Sequence, residues 1–197
     1  MMRRLALAAT LALAPLAAAA QELSLQEISN YLNSFRTGQG GFTQVNADGS
    51  LSTGTIYIKR PGRIRFEYNE NNSMFIAGGG QVAVFDAGSN EGPERFPLSQ
   101  TPLSIILAET VDFSRAGMVT GHTSDGTTTT VTAQDPAHPE YGNIQLVFTA
   151  NPTELRQWVV TDDTGTQTTV VLNDIQTGVD IGDRQFNIQA EMAQWNP

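Results

Sequence analysis

The sequence predicts a mainly β domain of the α+β class, an antiparallel meander with one N-terminal helix and one short internal helix. Three observations carry this. From Gly41 onward apolar and polar residues alternate with a period of two in many short runs. Turn signals punctuate those runs at hairpin spacing: Ala47-Asp48-Gly49, Arg60-Pro61-Gly62, Gly78-Gly79-Gly80, Ser124-Asp125-Gly126 and Asp163-Thr164-Gly165. Only one longer stretch, ahead of them, has the spacing of a helix.

That stretch is 24–35. Leu25, Ile28, Leu32 and Phe35 fall on one helical face. Ser24 and Glu27 have the spacing of a capping box, and Gly38 follows the end. An amphipathic helix must lie on something apolar. The strands follow at 42–46, 53–59, 63–69, 74–78, 81–86, 117–122, 127–133, 143–149, 154–161 and 166–175, with a further one at 184–188. Hairpin connections of this length favour antiparallel pairing. A second helix is expected at 101–109, with Thr101 as N-cap and Pro102 at the first helical position, where its missing N–H costs nothing. Leu103, Ile106 and Leu107 form one apolar edge, with Ile105 alongside, so this helix must be covered on several sides.

In the strand 63–69, Ile64, Phe66 and Tyr68 share one face and Arg63, Arg65 and Glu67 the other. The preceding strand sets Ile56 and Ile58 against Tyr57 and Lys59. Alternation defines the two sets but leaves open which one faces inward. Lys59, Arg60, Arg63 and Arg65 make a concentrated positive spot, which serves either to meet an acidic partner or to protect a strand edge.

The chain has 197 residues, 11 Lys+Arg against 20 Asp+Glu, and no cysteine. An acidic chain without a basic tract is a poor nucleic-acid binder. Lack of cysteine excludes disulfides, thiolate metal sites, a thiol nucleophile and lipid attachment through Cys. Residues 1–20 read as a bacterial secretory signal peptide: Arg3 and Arg4, an apolar run from Leu5 to Leu16, and Ala18-Ala19-Ala20 as the exit. The run is too short to serve instead as a bilayer-spanning anchor. Residues 21–197 are then expected as a single exported domain, periplasmic and monomeric, with a net charge of −11.

Chemistry-bearing constellations are missing. There is no GxSxG elbow, HExxH or phosphate-binding glycine loop. Asp163-Thr164-Gly165 resembles half of an aspartic-protease signature, but its flanks make it a hairpin turn and it has no second copy. His138, between Pro136-Ala137 and Pro139, reads as a solvated loop residue. No enzymatic activity, metal or other cofactor is expected.

The segments GGFTQ (40–44), IYIKRPGRIRFEY (56–68) and PLSQTPLSIILAE (97–109) resemble the periplasmic outer-membrane lipoprotein carriers, a LolA-like family. The order of signal peptide, helix, Arg-Pro turn, aromatic strand and Thr-Pro helix is similar too. The C-terminus departs from the family's Phe-x-Phe ending: here Phe186-Asn187-Ile188 runs into QAEMAQWNP. The resemblance implies an unclosed antiparallel half β-barrel with lid helices on its concave face. It implies a carrier that takes acylated lipoproteins from an inner-membrane ABC-type releasing complex to an outer-membrane receptor. The alternative is an exported lipid-binding or envelope-stress-sensing module of the same fold. On this reading Ile56, Ile58, Ile64, Phe66, Phe75, Val82 and Val84 line the lipid-binding cavity, and Leu103, Ile106 and Leu107 belong to the lid. Arg60, matching the family's Arg-Pro turn, latches the lid shut.

Overall fold

Ser24 opens the first helix as expected. Its side chain accepts from the Glu27 backbone N–H while the Glu27 carboxylate accepts from the Ser24 N–H, starting α1 at Leu25–Asn33. The computed structural model describes residues 22–195, so the expected leader at 1–20 lies outside them. Ile28 and Leu32 are fully buried, and Leu25 packs against the same core. The helix stops two residues earlier than the apolar spacing predicts. Phe35 lies beyond it and meets Tyr31 edge-on at 5.6 Å.

Eleven strands follow: β1 (Thr37–Val45), β2 (Leu51–Lys59), β3 (Arg63–Tyr68), β4 (Met74–Gly78), β5 (Gln81–Phe85), β6 (Glu94–Pro97), β7 (Val119–Ser124), β8 (Thr128–Gln134), β9 (Asn143–Thr149), β10 (Glu154–Thr161) and β11 (Gln167–Thr177). All pair antiparallel in one sheet of order β6-β5-β4-β3-β2-β1-β11-β10-β9-β8-β7. The first and last strands pair in the middle, and β6 and β7 are left as unjoined edges. The sheet is strongly curled. Phe66 on β3 and Trp158 on β10 stand four strands apart, about 19 Å in a flat sheet. Their ring centroids are 6.4 Å apart. This is the unclosed half-barrel, mainly β, with α1 and α2 on its concave face.

Three expectations need correction. The strand β1 begins five residues earlier than expected because Gly38, Gly40 and Gly41 are in the ladder. Gly40 is required there: a Cβ would stand 2.6 Å from Ile175 and 2.7 Å from the Asn173 carbonyl on β11. The helix expected at 101–109 is a 3-10 turn at Leu98–Gln100 followed by a single turn of α-helix, α2 (Leu103–Ile106). Thr101 does not cap it, since its hydroxyl donates back to the Leu98 carbonyl at 2.9 Å. The strand expected at 184–188 is a 3-10 turn, Asp183–Phe186, leading into α3 (Ile188–Met192), because the Asn187 side chain accepts from the Ala190 N–H and caps a helix. In addition β6, only four residues long, is an edge that the alternation does not reveal.

The sheet's two faces differ. The concave side carries one large core with Phe42, Ile56, Ile64, Phe66, Phe148 and Trp158 at its centre, covered by α1 and α2. The convex side of β3–β5 carries a small second core, Ile76, Ala83 and Phe85, covered by α3. Trp158, buried where the curl brings distant strands together, is the concave core's largest fully buried side chain. Trp158→Ala is expected to cost about 3–5 kcal/mol in urea unfolding; a loss below about 1 kcal/mol would show that the curl does not depend on that contact.

Candidate functional site

The residues expected to line a cavity lie together on the concave face. Ile56 and Ile58 on β2 pair with Phe66 and Ile64 on β3, which pair with Phe75 and Ala77 on β4, which pair with Val84 and Val82 on β5. All of them contact the main core. Aromatic rings meet edge to face across this surface, with Phe66 5.0 Å from Phe42 and 5.7 Å from Phe75.

Leu103, Ile106 and Leu107 are buried in the same core, as is Ile105. The chain then runs on through Val111 and Phe113, both fully buried, alongside α1. Side chains of α1 fasten this segment. Asn33 donates from Nδ2 to the Val111 carbonyl at 2.8 Å and accepts the Val111 N–H at 3.0 Å. The Ser29 hydroxyl accepts the Phe113 N–H at 3.1 Å. Helix α1, helix α2 and residues 107–113 thus form one cover over the concave face. Sequence reasoning missed Ser29 and Asn33, although an i, i+4 polar pair beside the apolar stripe is the pattern such a fastening leaves.

Arg60 sits where this cover meets the sheet. It is only 4% exposed. Its guanidinium donates to the Leu32 carbonyl at the end of α1, to Asn33 Oδ1 at 2.9 Å, to the Ala108 carbonyl at 3.0 Å and to the Glu109 carbonyl at 3.2 Å. Each is an oxygen at or just beyond a helix C-terminus, where carbonyls lack partners and the helix dipole favours a cation. Among the described residues no carboxylate is bonded to this guanidinium. Burial, and then the charge of Arg36, push its pKa below the ordinary value, while an arginine still stays charged. The turn backbone adds two further ties: the Arg60 N–H donates to the Arg36 carbonyl and the Gly62 N–H to the Leu107 carbonyl, both at 2.8 Å.

Open space remains at the far end of the half-barrel. A hollow of about 520 Å³ is walled by Phe75, Phe96, Leu103 and Val160, with Glu94 and Asp163 at its rim. Of the expected cavity and lid residues, only Phe75 and Leu103 reach it. Ile56, Ile58, Ile64, Phe66 and Val82 are buried in the main core, while Val84 is half-buried and lines a second hollow with Phe75.

The basic spot divides in two. Arg60 belongs to the cover, whereas Lys59, Arg63 and Arg65 turn to the convex side and meet the C-terminal segment through Asp183 and Glu191. β3 is an inner strand, so these charges protect no edge, and an intramolecular partner already takes up their acidic contacts. His138 stacks on Tyr141 at 4.8 Å in an exposed loop, and Asp163-Thr164-Gly165 is the turn between β10 and β11, matching their sequence readings. No helix among the described residues is long and apolar enough to cross a membrane.

Comparison with known proteins gives the family. The family model described as outer membrane lipoprotein carrier protein LolA matches residues 33–189. The outer-membrane lipoprotein carrier protein of Coxiella burnetii (strain CbuK_Q154) is 30% identical over 120 residues, covering 55% of this chain and 56% of that protein. Its counterpart in Methylococcus capsulatus (strain Bath) is 33% identical over 76 residues, 36% of each chain. The matches thus span about half the length of these relatives or less. Among solved structures, a LolA-superfamily protein from Nitrosomonas europaea aligns over 85% of this chain and 99% of its own at 13% identity, with a TM-score of 0.40. The family match runs from Asn33, the last residue of α1, into α3 and takes in the Arg60-Pro61-Gly62 turn, α2 and residues 107–113, and on that extent the chain belongs to the outer-membrane lipoprotein carrier (LolA) family.

Proposed function

We propose that this chain is a periplasmic carrier that hides the acyl chains of lipoproteins against the concave face of its half-barrel. It takes them from an inner-membrane ABC-type releasing complex and delivers them to an outer-membrane receptor. The observation that carries this reading is the fastening of the cover. The cover's apolar side chains lie on an apolar sheet face, and one buried arginine holds them through carbonyl oxygens alone.

The energetics suit exchange. An acyl chain of roughly sixteen carbons, at about 0.8 kcal/mol per methylene, avoids water with on the order of 10 kcal/mol. Burial of Leu103, Ile105, Ile106 and Leu107, at about 1.5–3 kcal/mol each, is worth roughly 6–12 kcal/mol. Loading replaces cover-to-sheet contacts by acyl-to-sheet contacts, so net affinity is the small difference between similar quantities. A shuttle needs that balance, since it must shield its cargo without holding it more tightly than the receiver. Arg60 adds to the closed side. Its acceptors belong to the cover, so they are lost on opening and regained on release. In this reading Ile56, Ile58, Ile64, Phe66, Phe75, Val82 and Val84 form the wall, Leu103, Ile106 and Leu107 the lid, and the hollow by Phe75 and Leu103 the point of entry. No cofactor takes part.

Two outcomes are expected. Purified chain added to inner-membrane spheroplasts should bring acylated lipoproteins into the soluble fraction; recovery of a signalling protein and no lipoprotein would replace the carrier by the sensor reading. Arg60→Leu should bind a fluorescent sixteen-carbon fatty acid about tenfold more tightly than the wild type, because removing roughly 1.4 kcal/mol from closure multiplies the open population by ten. It should also pass cargo to receptor-bearing liposomes more slowly. Unchanged affinity and unchanged hand-off would sink the latch.

A further inference from the structure

The C-terminal segment around Asp183, just ahead of the point where this chain departs from the family's ending, is seated on the outside of the turn that carries Arg60. We propose that Asp183 is a positioning residue for Arg60: from the convex side it pins the β2–β3 turn to the sheet, so that the guanidinium is presented to the cover's carbonyls. This deepens the carrier reading and rests on it.

One carboxylate oxygen bridges both flanks of the turn. Asp183 Oδ1 lies 2.6 Å from Lys59 Nζ and 2.6 Å from Arg63 Nη1. Lys59 also donates to the Ile181 carbonyl at 2.6 Å, and Arg63 Nε donates to the Lys59 carbonyl at 3.2 Å. The turn Arg60-Pro61-Gly62 is therefore held at its two ends by the tail and at its tip by the cover.

Asp183 is not on a loose arm. Gly78 on β4 has no side chain where the Phe186 carbonyl passes; a Cβ there would be 2.1 Å from that oxygen. Phe186 and Ile188 are buried, and Trp195 packs on Phe85 with centroids 5.2 Å apart. Arg65, 7% exposed, donates to the Gln185 carbonyl at 3.0 Å and pairs with Glu191 at 3.1 Å. The tail is anchored on both sides of Asp183.

Charge supplies the second half of the argument. Arg36, Lys59, Arg60 and Arg63 gather at one corner of an acidic protein. Lys59 and Arg63 flank the latch, and Asp183 is the carboxylate paired with both. Without it, two cations at the turn's base repel each other and Arg60. The turn is then free to follow the cover outward or to misdirect the guanidinium. An exposed pair of this kind adds little to overall stability, and Asp183 is 73% exposed. Its effect belongs in the balance between two cover positions, where small differences are visible as populations.

The test is a double-mutant cycle on Asp183 and Arg60, read by dissociation constants for a fluorescent sixteen-carbon fatty acid, with thermal melting alongside. Asp183→Asn should melt close to the wild type and bind the probe about two- to fivefold more tightly. Asp183→Glu should restore most of the wild-type value. In the Arg60→Leu background Asp183→Asn should change nothing, because there is no guanidinium left to position. If Arg60→Leu tightens binding but Asp183→Asn does not, or if Asp183→Asn has the same effect in both backgrounds, the positioning role is wrong and the latch stands. If Arg60→Leu itself leaves binding unchanged, the latch fails and this role with it.

Discussion

A guanidinium taken out of water is costly unless every donor finds an acceptor. In this chain Arg60 finds them at the C-terminal ends of the elements that cover the half-barrel: Leu32, Asn33, Ala108 and Glu109. The choice of carbonyls over a carboxylate matters physically. A buried ion pair would tie the cover to the sheet with a strong local charge contact. Carbonyl oxygens at helix ends satisfy the donors, and on separation each group can return to water. On the proposed reading the fastening is reversible, and it adds a direction that hydrophobic burial alone does not supply. The rest of the concave face depends on it, because the apolar wall of β2–β5 needs either the cover or a substitute for it.

The β2–β3 hairpin sets this geometry. Strand alternation sends Lys59, Arg63 and Arg65 to the convex side and leaves Arg60, in the turn, facing the helix ends. The curl of the sheet then brings distant strands over the same core, as the contact of Phe66 with Trp158 shows. One short segment thereby touches the cover on one side and the C-terminal tail on the other. The half-barrel leaves its edge strands β6 and β7 unjoined to each other, and the hollow beside Phe96 and Leu103 opens next to the first of them.

Much of this was legible in the residues. Period-two alternation placed ten of the strands, and Ser24 with Glu27 marked the start of α1, because both signals are local. The inward set Ile56, Ile58, Ile64 and Phe66 could be grouped but not oriented, since alternation is symmetric until something covers one face. Misreadings arose where tertiary contact overrode local pattern. Gly38 reads as the stop after a helix, yet it lies in the ladder of β1, where Gly40 serves the close approach of β11. Phe186 and Ile188 alternate like a strand, yet Asn187 caps a helix between them. The basic spot read either as a surface for another molecule or as protection of a strand edge, because its partner, Asp183, is more than a hundred residues away in the chain. Asn33 and Ser29 were missed for a related reason: their i, i+4 polar spacing shows in the sequence, but their partners at 111 and 113 are brought near only by the fold.

The central claim is that the cover moves off the concave face when a lipid tail arrives. The chain has no cysteine, so a pair can be introduced cleanly, at Ser104 on α2 and Thr55 on β2, and spin-labelled. The distance between the labels, measured by pulsed electron resonance with and without saturating sixteen-carbon fatty acid, reports that motion directly. A distribution that shifts outward on loading, and is already partly shifted in Arg60→Leu, is the expected result. A single unchanged distance with the fatty acid demonstrably bound would mean that lipid lodges elsewhere and that the cover is only a part of the core.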